Sequence, residues 1–257
     1  AARLQVPALQ QAGDPDLDYL AIYDLNNNTW QTVGSSGPGL NEPVNVISGF
    51  LGRIVIGGEF TTVDGMTVGG LAWYYQDQWE APANPLSRGP YNPIVYAVTA
   101  DQPNTSAYYL HVGGVFDMAG DSTFKNYAIY SVSQDQWVAT AEGGFNTEVY
   151  DMQVVYSGLS VDSRVIICGR FSATVDGTPV YYVGRIDLDL DFSSTPYTVN
   201  TTVADMSGGS FSLGTMYTLS SKIGGQLLLG GDGLYMYNDS LAQWDPLFPN
   251  TFYDPNV

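Results

Sequence analysis

Carboxylates are the groups best able to do chemistry in this chain, and their spacing limits what that chemistry can be. Residues 186–191 read Ile-Asp-Leu-Asp-Leu-Asp. On an extended chain the alternation puts Asp187, Asp189 and Asp191 on one strand face, with Ile186, Leu188 and Leu190 on the other. Three acids on one face make a candidate calcium site, because Ca²⁺ gathers oxygens from several carboxylates and carbonyls. Gly-Asp-Pro-Asp-Leu-Asp at 13–18 offers a second set in Asp14, Asp16 and Asp18. Both stretches also read more plainly, as the solvated face of an amphipathic strand and as a turn.

Asp151 and its near neighbour Glu148 are the carboxylates expected on an inner strand. Two acids from one segment poorly replace the facing pair that glycoside hydrolysis needs. The single histidine, His111, alternates with Leu110 and Val112 and reads as a structural residue. The single cysteine, Cys168, sits in Val-Ile-Ile-Cys, so it reads as a core residue and no internal disulfide is possible. One His and one Cys fall short of a zinc ligand set, and no glycine-rich nucleotide motif occurs. No catalytic residue is assigned, and calcium is the one cofactor the pattern suggests.

The chain of 257 residues carries 8 basic and 26 acidic side chains, a formal charge of −18. That field repels nucleic acid and anionic membranes alike. No apolar run approaches the ~20 residues of a membrane span. Only 13% of residues are charged, while 19 are tyrosine; few charges with many Tyr, Thr, Ser and Gly suit a secreted β protein. The chain starts Ala-Ala-Arg and reads as a processed piece of something longer. Asn-x-Ser/Thr sequons at Asn27, Asn104, Asn200 and Asn238 lie in turn-like contexts, as candidate surface glycosylation sites.

The elements that must position these groups are repeated. IVIGGEF (54–60), LHVGGVF (110–116), IICGRF (166–171) and LLLGGDG (227–233) mark one recurring strand. Its Gly-Gly or Cys-Gly pairs begin at 57, 113, 168 and 230, spaced by 56, 55 and 62 residues. A polar, glycine-containing turn follows in the first three, then a β-rich run, a second turn and a closing tryptophan. That second half ends at Trp30, Trp79, Trp137, the degenerate Thr195-Pro196-Tyr197, and Trp244. A further β run precedes each glycine strand. No stretch carries a 3.6-residue apolar period, and Gly and Pro together number 43 (29 and 14), so helix is expected to be minimal.

Four antiparallel strands per unit predict an all-β chain, a single β-propeller domain over residues 1–257 with about five blades. The blades are expected at 15–34 (partial), 44–80, 92–140, 146–199 and 211–248. Gly57, Gly58, Gly113 and Gly114 are expected to admit a neighbouring blade. Phe60 and Phe116 are expected to fill the space between blades, and Trp30, Trp79, Trp137 and Trp244 to pack over the next one. The partial first blade needs strands from 3–10, from 251–257, or from elsewhere.

The run IGGEFTTVDGMTVGGLAWYYQDQW (56–79), with its Gly-Gly-x-Phe, glycine turn, Ala-x-Tyr and Trp, resembles the Kelch-like propeller repeats of large fungal cell-surface polarity markers of the Rax type and related secreted proteins. The resemblance spans about 15–248. It departs at Cys168, at the missing Trp of the fourth unit and at the missing Phe of the fifth. It implies a glycosylated, non-catalytic scaffold at the cell surface. The expected function is therefore an extracellular structural or adhesive module, a subunit of a cell-surface filament or matrix, with other protein subunits or its own copies as partners. The alternative is a carbohydrate-binding or glycan-cleaving propeller, using exposed aromatics such as Tyr74, Tyr75, Tyr181 and Tyr182.

Overall fold

The computed structural model describes residues 19–34, 39–102, 108–139, 144–156, 163–175, 178–191, 198–207, 214–221, 226–238 and 242–247. The chain divides into two compact units, residues 1–140 and 141–257. Among the described residues every regular element is a strand, and all pairings are antiparallel.

The first unit opens with a two-stranded hairpin, β1 (Ala21–Asp24) and β2 (Thr29–Thr32). A four-stranded meander follows, in the order β3 (Val44–Phe50), β4 (Arg53–Gly58), β7 (Leu71–Tyr75) and β8 (Gln78–Glu80). The small hairpin of β5 (Thr62–Val63) and β6 (Met66–Thr67) interrupts it. Next come β9 (Leu86–Ser87) and a second meander: β10 (Ile94–Asp101), β11 (Tyr109–Val115), β13 (Tyr127–Ser131) and β14 (Gln136–Ala139). Within it, β12 (Met118–Ala119) pairs back onto β9.

The second unit holds two more meanders. One is β15 (Val149–Tyr156), β16 (Ser163–Val175), β17 (Thr178–Asp191) and β18 (Thr198–Asp205). The other is β19 (Met216–Ser221), β20 (Leu227–Gly231), β21 (Leu234–Asn238) and β22 (Gln243–Pro246). Each repeat read from the sequence is thus one sheet. Two details differ from expectation. SATVDGTP, expected as a connecting turn, prolongs the β16–β17 hairpin, with Ser172 opposite Tyr181 and Val175 opposite Thr178. The fourth strand of that sheet runs on to Asp205, past the expected limit at 199; Thr195–Tyr197 lie outside the described residues.

In each unit the two meanders pack on a shared core. Val55, Leu71 and Trp73 from the first sheet meet Val98, Leu110, Val112 and Tyr130 from the second, with the Trp73 and Tyr130 rings 5.6 Å apart. The opposite face of the first sheet is buried too, since Ile56 and Ala72 join Leu40, Phe60, Val63 and Val68. Strands covered on both faces must be apolar at every position, which is why the glycine strands read as continuous hydrophobic runs. In the second unit Ile166, Cys168 and Val183 pack with Leu219, Leu227, Leu229 and Trp244.

The glycine pair has two roles, only one of them expected. A Cβ on Gly57 would lie 2.5 Å from Val95 Cγ1 of the next sheet, so this glycine does admit a neighbour. The second glycine answers to its own sheet. All four first strands carry a β-bulge opposite it. Val44 faces Gly58 and Val46 faces Gly57, with Asn45 as the bulged residue between them; Tyr96, Tyr150 and Tyr217 are bulged in the same way. The bulge pushes the preceding carbonyl over the glycine. A Cβ on Gly58, Gly114, Gly169 or Gly231 would sit 2.0–2.3 Å from the oxygen of Pro43, Ile94, Glu148 or Thr215. No other residue type fits there, and the rule holds in the repeat where cysteine replaces the first glycine.

Candidate functional site

The recurrent outer hairpin of each repeat is where polar and aromatic groups converge. The closing tryptophan lies directly opposite a tyrosine on the adjoining strand: Tyr23 with Trp30, Tyr74 with Trp79, Tyr130 with Trp137, and Tyr237 with Trp244. Their ring centroids are 4.9, 5.2, 5.1 and 5.1 Å apart, tilted or edge-on. Aromatic cross-strand pairs of this kind are worth roughly 0.5–1.5 kcal/mol beyond area burial.

Two residues before each tryptophan the chain turns with positive φ: Asn28 (53°), Asp77 (62°), Asp135 (52°) and Ala242 (50°). Asn and Asp tolerate that conformation, and they also use it. Tyr23 donates to Asn28 Oδ1 at 3.3 Å and Tyr74 to Asp77 Oδ1 at 3.4 Å, while Tyr130 donates to Asp135 Oδ1. Gln76-Asp77 forms a two-residue turn with φ positive at both positions. The Gln-Asp-Gln-Trp at 134–137 closes a four-residue loop instead, between Ser131 and Gln136.

The tryptophans were expected to pack over the next sheet. Each packs instead on its own tyrosine, and Trp79, Trp137 and Trp244 also on the segment that leads into their own sheet. Trp137 Nε1 donates to the Asn84 carbonyl at 2.8 Å, and Trp244 Nε1 to the Met206 carbonyl at 2.9 Å. Gly34 abuts Trp79, where a Cβ would lie 2.8 Å from the indole nitrogen. The indole N–H of Trp137 and that of Trp244 thus find their acceptors in the connecting segment, whereas Trp79 Nε1 is buried with no acceptor among the described residues. Trp244 is fully buried, whereas Trp30 is 49% exposed.

Beside Trp137 lies a cavity of about 160 Å³, lined by Asn84, Asp121, Ser122, Tyr130, Asp135 and Trp137 among others. Tyr130 is 1% exposed. Burial first, then the Asp135 hydrogen bond, push its phenol far above the usual tyrosine range. The phenol therefore stays protonated at neutral pH and holds Asp135 in place.

The candidate residues from the sequence go to several places. Asp187 is engaged by two guanidinium groups: Arg185 bonds its Oδ2 at 2.9–3.0 Å, and Arg164 Nε makes an ion pair with Oδ1 at 3.2 Å. Two cations beside the carboxylate oppose a third. Asp189 and Asp191 lie on β17 opposite Asn200 and Thr198. Asp14, Asp16, Asp18 and Asn104 fall outside the described residues. Among the described residues no cluster of three His, Cys, Asp or Glu side chains gathers as a metal site.

Asp151 joins the two sheets of the second unit. Its carboxylate accepts from Met152 N, Thr218 Oγ1 and Leu219 N at 2.8, 3.0 and 2.8 Å. In the first unit the same link is made by the bulged Asn45, whose Nδ2 donates to the Val95 carbonyl at 3.2 Å. Cys168 is buried, and burial, with the charge of Asp151 added, pushes its thiol well up. Gly113 pairs with Ala97 and Tyr127 in the second sheet. Asn27 is exposed, with Nδ2 2.6 Å from Asp24 Oδ2; Asn238 Nδ2 bonds Asp245 at 2.9 Å. Tyr181 is exposed and Tyr182 packs against the second unit's core.

The sequence reading missed one cluster. His111 Nδ1 lies 2.8 Å from the Tyr127 hydroxyl and Nε2 lies 3.7 Å from Asp101 Oδ2, with all three side chains at 0% exposure. Burial, then the Asp101 charge, push the Tyr127 phenol well up. The three residues sit on three successive strands of one sheet and become neighbours through the β10–β11–β13 register.

No protein-family model matches the sequence, and no curated protein matches it. Among solved structures, the extracellular domain of a proposed one-component system from B. thetaiotaomicron aligns at a TM-score of 0.31 and 12% identity, covering 90% of this chain and 39% of that one. The chain thus spans about two fifths of that neighbour's length, and the likeness is too loose to define a shared fold.

Proposed function

We propose that this chain is a non-catalytic, extracellular structural or adhesive module whose four-stranded sheets are successive blades of a β-propeller. The observation that carries the reading is the fourfold recurrence of one unit: a meander with a bulged first strand against a glycine. Repetition of a unit that cannot bury its own faces alone is the logic of arrays and propellers. The groups with chemical potential support the non-catalytic part, since Cys168, His111 and Asp151 serve the core and the sheet-to-sheet joints. Glycan cleavage needs a free pair of carboxylates, and Asp151 is held by three donors.

The hairpin of β1 and β2 supports assembly. Among the described residues it is a two-stranded sheet that exposes Ile22, Tyr23 and Trp30, at 39%, 40% and 49%, where the same Tyr–Trp element elsewhere belongs to four strands. Open edges invite another strand. Negative-stain imaging of the full chain tests the proposal. Ring-like projections support the propeller, and regular filaments or sheets make it a subunit of a polymer. Discrete ring-like particles leave the adhesive role. Particles without a ring-like projection overturn the propeller reading.

A further inference from the structure

The cavity beside Trp137 points to a ligand, and its chemistry goes beyond the proposed scaffold role. Its aromatic wall is fixed: the Trp137 indole is anchored through Nε1 to the Asn84 carbonyl at 2.8 Å and stands edge-on to the buried Tyr130, 65° between planes. Gly120, with φ of 61°, brings the backbone against the same ring, where a Cβ would lie 3.1 Å from Trp137 Cδ1. One rim carboxylate is fixed as well, because Tyr130 donates to Asp135. Asp121 supplies a second carboxylate, and no Lys or Arg lines the space.

A preorganised indole beside two carboxylates selects for positive charge. The ring face attracts a cation through its quadrupole, and the acids add Coulomb attraction. An anion is repelled, and an uncharged ligand leaves the two negative charges unused. The volume of about 160 Å³ is below the roughly 300–1,000 Å³ that takes a drug-sized ligand. It suits a single head group. We propose that this cavity binds a primary ammonium or guanidinium group, the head of a Lys or Arg side chain or of a free amine. Lys and Arg number only 8 in this chain against 26 acids, so a basic partner would be complementary overall as well as at the cavity.

The test is an NMR titration of the full chain, followed at the Trp137 indole N–H and assigned by comparison with Trp137→Phe. The probes are n-butylammonium and Nα-acetyl-lysine amide, with methyl glucoside as the uncharged control. Both cations are expected to bind saturably, with Kd on the order of 1 mM. Affinity is expected to drop severalfold when salt is raised to about 0.5 M. Asp121→Asn, on an exposed turn outside the Tyr–Trp pair, is expected to weaken binding about fivefold or more. Asp135→Asn keeps a side chain suited to positive φ and is expected to do the same. Tighter binding of the lysine amide assigns the ligand to a partner protein's side chain, and equal binding assigns it to a free amine. The proposal is overturned if neither cation saturates, if both carboxamide variants bind like the parent, or if methyl glucoside competes equally. Failure here leaves the assembly reading intact, because imaging does not depend on this cavity.

Discussion

At the scale of single residues, the position two before each closing tryptophan shows how one backbone conformation recruits a side chain. Asn28, Asp77 and Asp135 all adopt positive φ and all accept a hydrogen bond from the facing tyrosine. Ala242 holds the same conformation at φ 50° with no side-chain acceptor to offer Tyr237. An L-residue with Cβ pays ~1–2 kcal/mol in this region, and Asn pays less. Ala242→Asn is therefore expected to stabilise the protein by about 0.5–1 kcal/mol, read as a raised denaturation midpoint at unchanged slope. An unchanged or lowered midpoint would show that neither relief operates.

At the scale of elements, the bulged strand and its glycine are one device. The bulge exists in all four first strands, and the glycine beneath it has a carbonyl where its Cβ would go. Gly114→Ala puts a methyl 2.0 Å from the Ile94 oxygen, so the strand must move or the bulge must open. A loss of at least ~2 kcal/mol is expected. Gly49 is the control: it also lies in a strand, with nothing within 4 Å of its would-be Cβ and no positive φ. Gly49→Ala is expected to be neutral or to stabilise by up to about 1 kcal/mol through the unfolded chain. Equal effects of the two substitutions in urea melts would remove the bulge as the cause.

Across the whole molecule, buried protons link stability to pH on the alkaline side. Tyr127 and Cys168 keep their protons in the fold because burial disfavours the anion, and a neighbouring carboxylate adds to the effect. The unfolded chain releases them near ordinary values, about 8.5 for Cys and 10 for Tyr. Above those values the unfolded state binds fewer protons than the folded one, so the stability contribution, complete at lower pH, is lost as pH rises. Stability is expected to be flat from about pH 7 to 8 and then to fall, by up to ~1.4 kcal/mol per pH unit for each such group. Tyr127→Phe lowers stability throughout, because His111 loses its partner, but makes the alkaline decline shallower. Denaturant melts across this range check both features; a decline as steep in the variant as in the parent would exclude Tyr127 as a contributor.

The repeat was legible in the linear chain because its signals are local. Paired glycines, bounding turns and a closing tryptophan recur at near-constant spacing, and each marks a strand or a hairpin that forms within about 55 residues. Strand alternation likewise set Asp187, Asp189 and Asp191 on one face. What those groups touch was decided by register and by sheet packing, which carry no local signature. The β16–β17 pairing brought Arg164 opposite Asp187, and the stacking of β15 on β19 gave Asp151 its donors from Thr218 and Leu219. The bulge gave the second glycine its own carbonyl instead of a neighbouring sheet. Strand content, the repeat and its turns can be read along the chain, since these follow from conformational preference residue by residue. Which carboxylates are satisfied and which line a cavity emerges on folding, because that depends on partners contributed by segments distant along the chain.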